Sequence, residues 1–517
     1  MMKPAESKLH KNNDRMDSVT SPNTPQDSPK SSADATLDVL VVGAGISGLT
    51  IAHELATQPV SASQKDSLKL LVTEAQDRLG GSITSVQSPE GFLWEEGPNS
   101  FAPTPELLKL AVAVGLKDEL LLTDRKLPRF VFWRGKLHPV PMNPGLAITT
   151  RLLSLAGKLR ALRGTLGFVR PAIAGEESVE KFFTRQLGQE VMQRLVGPFV
   201  SGVYAGDPQQ LSAAAAFKKI AALEQNYGGL LAGAILSRSA AKKAQPTKPE
   251  PDPNIPKARS GELGSFRQGL QALPSAIAQK LQSSQVPVKL QWQLRKLEHD
   301  ADSKTYTATF ATPAGEEIVT ARTVVLATPA YVTGAVLRDL QPAASQALSE
   351  IPYPTVACAV LAYPKTETIA DLNGFGNLIP RQQGIRTLGT IWTSSLFAGR
   401  APEGWHLLLN FIGGTTDPEL ANLTESEIAE AAHQDLRQII LRPNTTVQPK
   451  VLAVHIWKKA IPQFSIGHLQ RLEVVRQGLQ KLPGVFLSSN YIEGVSMGDC
   501  VRQGLKTAEQ VKQFLSA

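Results

Sequence analysis

Residues 37–42 read Leu-Asp-Val-Leu-Val-Val and run straight into Gly43-Ala44-Gly45-Ile46-Ser47-Gly48. The first string suits a strand buried on both faces of a parallel sheet. Leu49 to Ala56, just after the turn, has helical spacing. A strand, a Gly-x-Gly-x-x-Gly turn and a helix in that order leave few folds open. The first glycine permits a tight turn, the second lets backbone approach a pyrophosphate, and the third lets the helix pack on the strand. The helix start then turns free N–H groups and a positive dipole end toward phosphates. Leu68-Lys69-Leu70-Leu71-Val72 predicts a second strand, which makes a βαβ unit with a right-handed crossover. That strand leads to Glu74, whose carboxylate can accept from a ribose hydroxyl. The usual spacing is ~20 residues; here the polar stretch 58–67 adds a longer loop. A Gly-rich turn in an α/β protein that binds no nucleotide is still open at this point.

Three later segments narrow the ligand. Arg78-Leu79-Gly80-Gly81-Ser82 follows the acid, and Glu95-Glu96-Gly97-Pro98-Asn99-Ser100-Phe101 comes soon after. Paired glycines and a Gly-Pro turn let backbone run close to a flat ligand. A nicotinamide dehydrogenase is expected to have neither. Asn490-Tyr491-Ile492-Glu493-Gly494-Val495-Ser496-Met497-Gly498 leads into a predicted last helix over 499–515. Such a start can aim N–H groups at the edge of a reduced flavin, which gains negative charge. Fingerprint and segments together point to FAD.

With 517 residues the chain is too long for one core, so two or three domains are expected. Its 42% hydrophobic and 19% charged residues fit a folded protein. No apolar run reaches the ~18 residues of a membrane span. The net charge is +8, but Lys and Arg are scattered and do not alternate with aromatics, which argues against nucleic acid. Cys358 and Cys500 lack ligand spacing, which argues against zinc or a disulfide framework. Residues 1–35 read as a disordered tail. A transit peptide is the alternative, although Glu6, Asp14, Asp17, Asp27 and Asp34 are many acids for one.

Elsewhere the patterns predict a helix over 105–121, a hairpin over 127–141 around Arg134-Gly135, and a mobile Pro/Lys-rich insertion over 240–262. Strands are predicted over 286–298, 305–311, 317–327 and 484–489. A basic amphipathic helix is predicted over 149–170. Leu152, Leu153, Leu155, Ala156, Leu159 and Leu162 share one face of it, and Arg151, Lys158, Arg160, Arg163 and Arg170 supply charge. It can lie in a membrane interface or pack on a core.

These strings resemble the FAD-dependent amine-oxidase superfamily, and within it the oxygen-dependent protoporphyrinogen IX oxidases of the plant-plastid and cyanobacterial type. The likeness rests on 95–101, Pro128-Arg129-Phe130-Val131, Pro198 to Asp207, Thr387-Leu388-Gly389-Thr390-Ile391-Trp392, and Gly494 to Gly498. It covers about residues 36–517. It implies an α/β fold with an α+β substrate part: a Rossmann-type FAD domain built from discontinuous segments (36–119, 276–345 and 472–517). It further implies an inserted substrate domain (120–128, 215–275 and 346–471) and a helical membrane-binding domain (129–214). The implied reaction oxidises protoporphyrinogen IX to protoporphyrin IX while three O₂ become three H₂O₂, on the route to haem and chlorophyll.

The same resemblance implies a cofactor set of Gly43, Ala44, Gly45, Ile46, Ser47, Gly48, Glu74, Ala75, Arg78, Gly80, Gly81, Ser82, Gly97, Pro98, Asn99, Ser100, Val288, Val495, Ser496 and Met497. For the substrate it implies Arg129 as partner of a propionate, Trp392 on one face of the macrocycle, Leu378 on the other, and Gly202 leaving room for a ring. No catalytic residue is nominated, because the flavin carries the difficult chemistry. His53, His138, His406, His455 and His468 read as structural. A homodimer and a peripheral membrane position are implied, on the cytoplasmic face of a cyanobacterium-like cell or in a chloroplast. Competing readings are coproporphyrinogen III oxidation, a polyamine oxidase or carotenoid desaturase, and a flavin-binding tetrapyrrole scaffold without activity.

Overall fold

The strand Gly315–Leu326 belongs to two kinds of sheet at once. Its first half pairs antiparallel with Thr305–Thr312, and its second half runs parallel to Leu37–Val42 and Val485–Leu487. The order is Gln293–Asp300, Thr305–Thr312, Gly315–Leu326, Leu37–Val42, Leu70–Thr73, Val288–Lys289, with Val485–Leu487 also on Gly315–Leu326. This is a parallel nucleotide sheet carrying an antiparallel meander. The computed structural model describes residues 36–58, 68–169, 171, 175–244, 252–259, 261–369 and 372–517. The tail 1–35, Arg170 and most of the 58–67 loop lie outside them.

Val39, Leu40 and Val41 are all fully buried because both faces of this sheet are covered. Val39 and Val41 pack toward the first helix, Ile46–Thr57, and the last helix, Met497–Ser516; Leu40 packs into the opposite cluster. The two helices approach closely at Gly504. A Cβ there would stand 3.1 Å from the Ser47 carbonyl oxygen and from the Thr50 Cβ.

A second sheet runs Lys450–Trp457, Val356–Pro364, Trp405–Gly413, Gly389–Trp392, Gly376–Leu378, Arg129–Trp133, Lys136–Pro139. The hairpin around Arg134-Gly135 is present, but it does not open the helical part as the 129–214 boundary implied. It extends this sheet, because Arg129–Val131 pairs in parallel register with Gly376–Leu378.

Several predicted elements are shorter than their patterns. The helix expected over 105–121 is Pro105–Ala113, capped by Thr104; Gly115, at φ +87°, ends it, and Leu120–Leu122 is a strand. The strand expected over 286–298 is two, Val288–Lys289 and Gln293–Asp300, divided where Gln291 takes φ +58°. The insertion begins as helix: Leu230–Ala244 includes its first residues, and 245–251 and 260 lie outside the described residues.

The single helix expected over 149–170 is two short ones, Pro144–Thr149 and Leu155–Thr165. Thr150 leaves helical geometry, and the Ser154 hydroxyl caps the second helix by accepting from the Gly157 N–H at 3.0 Å. Leu152, in the break, is fully buried, whereas Leu155 is 75% exposed and Leu159 60% exposed. Arg160 is not free for a surface role. It donates to the carbonyls of Arg185 and Gln186 at 2.6 and 3.2 Å, at the end of the helix Val179–Leu187. Lys158 likewise donates to the Ile148 carbonyl.

Candidate active site

The Gly-rich turn sits between the first strand and first helix, and its glycines have three different environments. Gly43 has φ +105°, and a Cβ there would stand 2.7 Å from the Ala327 carbonyl oxygen. A Cβ on Gly48 would strike the Gly43 carbonyl oxygen. Gly45 is different: nothing lies within 4 Å of its Cβ position. It is also the N-cap of a helix with no side-chain cap and no acid in the first turn. Open space therefore meets unsatisfied N–H groups (Ile46 and Ser47 belong to that first turn), the geometry an anionic pyrophosphate requires.

Glu74 is buried at the end of the second strand. Its carboxylate accepts from the Ala44 N–H and the Gln76 N–H, both at 2.9 Å. The Gly80 N–H donates to the Ala44 carbonyl at 3.0 Å, which brings Gly80 and Gly81 beside the turn. Val288 pairs with Val72 next to Glu74; Ala75 and Ser82 are exposed, and Arg78 is half-buried.

The 95–101 segment is held from two sides. Glu95, 1% exposed, accepts from the Ser85 hydroxyl at 2.5 Å and the Leu270 N–H at 2.9 Å, and lies 3.8 Å from equally buried Arg400. Burial pushes its pKa up to about 7, against the pull of those partners. Glu96, just past the strand Leu93–Glu95, points the other way, to His455. Gly97 passes over the Ser82 carbonyl so closely that a Cβ would overlap it. Pro98 and Ser100 are half-buried. Asn99 is buried, 3.5 Å from the Thr393 hydroxyl, and its Nδ2 has no hydrogen-bond partner. A buried donor without an acceptor can meet a ligand or a water.

Strand register places the substrate candidates. Gly376, Leu378, Arg129 and Ile391 share one face of the second sheet, since Gly376 pairs with both Arg129 and Ile391. Arg129 is half-buried, lies over the Phe375 ring at 5.5 Å and donates to the Gly261 carbonyl at 3.1 Å. Burial lowers its pKa, and no carboxylate lies within 4 Å of it among the described residues. Trp392 is on the opposite face. It is buried in a core cluster, stacks on Phe130 at 5.2 Å and donates to Asn377 Oδ1 at 3.2 Å. The expected pairing of Trp392 and Leu378 about one ligand is therefore corrected: the sheet itself lies between them. Ile391 takes the place on Leu378's side. Gly202 lies on the helix Gly197–Tyr204 against Leu378, whose side-chain tip occupies the space a Cβ would need.

At the far end, Ser496 caps the last helix by accepting from the Asp499 N–H at 3.1 Å, with half-buried Val495 before it and buried Met497 after it. A Cβ on Gly498 would meet the Thr104 Cγ2 at 2.7 Å, so this helix start is pressed against the helix Pro105–Ala113.

Residues 46–512 match the family described as flavin containing amine oxidoreductase. The chain belongs to that family. It is 46% identical to the chloroplastic protoporphyrinogen oxidase of rice, Oryza sativa subsp. japonica, over 94% of this chain and 90% of that one. It is 28% identical to coproporphyrinogen III oxidase of Bacillus subtilis, over 93% and 99% of the two. Among solved structures it resembles a putative protoporphyrinogen oxidase from Exiguobacterium, with TM-score 0.73 at 22% identity, covering 93% and 99%. This flavin amine oxidoreductase is a flavoenzyme and its cofactor is FAD. The open Gly45 position, the uncapped first helix and the unpartnered Asn99 amide fit that cofactor.

Four residues near this site had no site role in the sequence: Ile391, Asn377 and Trp457 were unassigned, and His455 read as structural. Period-two alternation along 389–392 and 450–457 carried the signal for all but Asn377, once the buried face was known.

Proposed function

We propose that the protein oxidises protoporphyrinogen IX to protoporphyrin IX with O₂ as acceptor and H₂O₂ as product, in tetrapyrrole biosynthesis. The observation that carries this is the shared sheet face: an apolar wall of Leu378 and Ile391 with the Arg129 cation at its edge. A large apolar macrocycle with carboxylates at one side needs such a surface. Arg129 is half-desolvated, and its guanidinium matches a propionate as a planar fork. It stays protonated throughout and so anchors rather than acts as a base. The 46% identity to the rice protoporphyrinogen oxidase supports the choice of substrate.

Bound FAD would supply the hydride acceptor and the route of electrons to O₂. Gly45 and the start of the first helix would hold its pyrophosphate, Glu74 would face its ribose, and the 97–100 turn would lie along its ring. The first sheet and the helices packed on it form this half of the molecule, with Phe266, Leu270 and Leu273 in its core, so that its middle segment begins before the expected 276; the second sheet supplies the substrate half.

Within this proposal the enzyme works at a membrane surface. Ile148, Leu155, Leu159, Leu162, Leu166 and Phe168 are all more than half exposed around the two short helices. No helix among the described residues is long and apolar enough to cross a membrane. Insertion would be interfacial. Leu155→Glu with Leu159→Glu should move the protein from the membrane pellet to the supernatant; retention in the pellet would refute this part.

The substrate is tested by comparing kcat/KM for protoporphyrinogen IX and coproporphyrinogen III. Preference for the former is expected. Preference for coproporphyrinogen would move the assignment one carboxylation state earlier.

A further inference from the structure

The strand Lys450–Trp457 forms one edge of the second sheet. Trp457 pairs with Val356 and His455 with Cys358, so both side chains take the face toward the 95–101 segment. Cys358 lies 4.0 Å from the Glu95 carbonyl oxygen on that face. The Trp457 indole donates to the Glu96 carbonyl at 2.8 Å. Its Cζ2 stands 3.6 Å from the Cβ position of Gly97. His455 Nδ1 is 3.2 Å from Glu96 Oε2, and its ring packs on Trp457 with centroids 4.3 Å apart. Two side chains of a distant strand thus hold both the backbone and the carboxylate of the residue before Gly97.

We propose that His455 and Trp457 are positioning residues for the flavin: they fix the Glu96-Gly97 backbone so that the turn meets the ring end of the cofactor. This rests on the reading that the 97–100 turn lies along the flavin. The first helix and Glu74 hold the nucleotide end through one sheet, and this pair holds the ring end through the other. The Glu96 carboxylate is kept well below the usual range, chiefly by its hydrogen bond to His455. It carries charge at neutral pH and faces His455 and Arg78. Removing a hydrogen bond to a charged carboxylate should weaken a property that depends on it by roughly tenfold or more.

The experiment titrates apoprotein with FAD and records the bound flavin's absorption maxima, for wild type, Trp457→Phe, His455→Ala and His455→Gln. Trp457→Phe keeps an aromatic ring but loses the N–H donor together with the part of the indole that meets Gly97. Trp457→Phe and His455→Ala are expected to weaken FAD binding by roughly tenfold and shift the absorption maxima, with His455→Gln recovering most of both. Apoprotein melting temperature should stay near wild type for Trp457→Phe. Wild-type affinity and unchanged maxima in Trp457→Phe and His455→Ala would overturn the proposal. So would a fall in melting temperature that tracks the affinity loss across the series, which would make the pair structural only. Affinity does not depend on substrate, so a wild type that binds FAD but leaves protoporphyrinogen untouched sinks the functional reading without blurring this result.

Discussion

Leu378 and Trp392 sit on neighbouring strands of the same sheet and point to opposite faces. Leu378 faces the helix that carries Gly202, with Arg129 and Ile391 beside it; Trp392 faces the core with Phe130. The two neighbours Ile391 and Trp392 should therefore respond differently to substitution. Trp392→Phe removes a buried hydrogen bond and leaves Asn377 Oδ1 unpaired, so it should cost about 1–3 kcal/mol of stability and leave KM nearly unchanged. Ile391→Ala should raise KM by up to roughly tenfold with a modest loss of stability. Steady-state kinetics beside thermal melts checks both, and the reverse pattern would return Trp392 to the substrate face.

Arg129 has a charge and no acidic partner among the described residues, so its counter-ion should come with the substrate. Arg129→Ala should raise KM by roughly 10- to 100-fold while flavin content stays at one per chain. Arg129→Lys should recover only part, since an ammonium lacks the fork. Loss of flavin from Arg129→Ala would mean that the residue holds the fold instead.

The glycines of the turn separate folding from cofactor binding. Gly45 has ordinary backbone angles, φ −72° and ψ 175°, and empty space where a Cβ would go. Gly45→Ala should fold as well as wild type or ~0.4–1 kcal/mol better, yet lose FAD affinity because the methyl takes the pyrophosphate's place. Gly48→Ala should not fold, because its Cβ collides with backbone. Circular dichroism with FAD titration distinguishes the two; an unfolded Gly45→Ala would contradict the assignment.

Glu95 sets a pH dependence. Burial raises its pKa from 4.5 to about 7, so the folded state binds this proton more tightly than the unfolded chain. Its contribution to stability is fully present below about pH 4.5 and is lost as the pH rises to about 7. Glu95→Gln should flatten the stability profile across that window. Denaturant midpoints measured at intervals across it provide the check, and parallel profiles for the two proteins would rule the effect out.

The nucleotide half was legible because its constraints are local: a strand, three glycines and an acid follow one another in the chain. The Gly45 opening and the Glu74 position needed only that order. The substrate half was less legible because its face is built by register among strands far apart in sequence. Trp392 is the more conspicuous residue, but pairing with Leu408 and Asn377's strand turns it inward, and nothing within Thr387–Trp392 reveals that. The 149–170 pattern failed for another reason. Helical periodicity ignored Ser154, whose preference for an N-cap starts a new helix and turns Leu152 into the core. His455 read as structural and Trp457 was unassigned, because the turn they hold lies far away in the sequence.

The most direct measurement supplies FAD-loaded protein with protoporphyrinogen IX in air and follows porphyrin fluorescence together with H₂O₂. Fluorescence should rise at a rate proportional to enzyme, with three H₂O₂ formed for each porphyrin, and Arg129→Ala should need far more substrate for the same rate. A flavin-loaded wild type whose fluorescence rises no faster than the enzyme-free control, with no H₂O₂, would contradict the account.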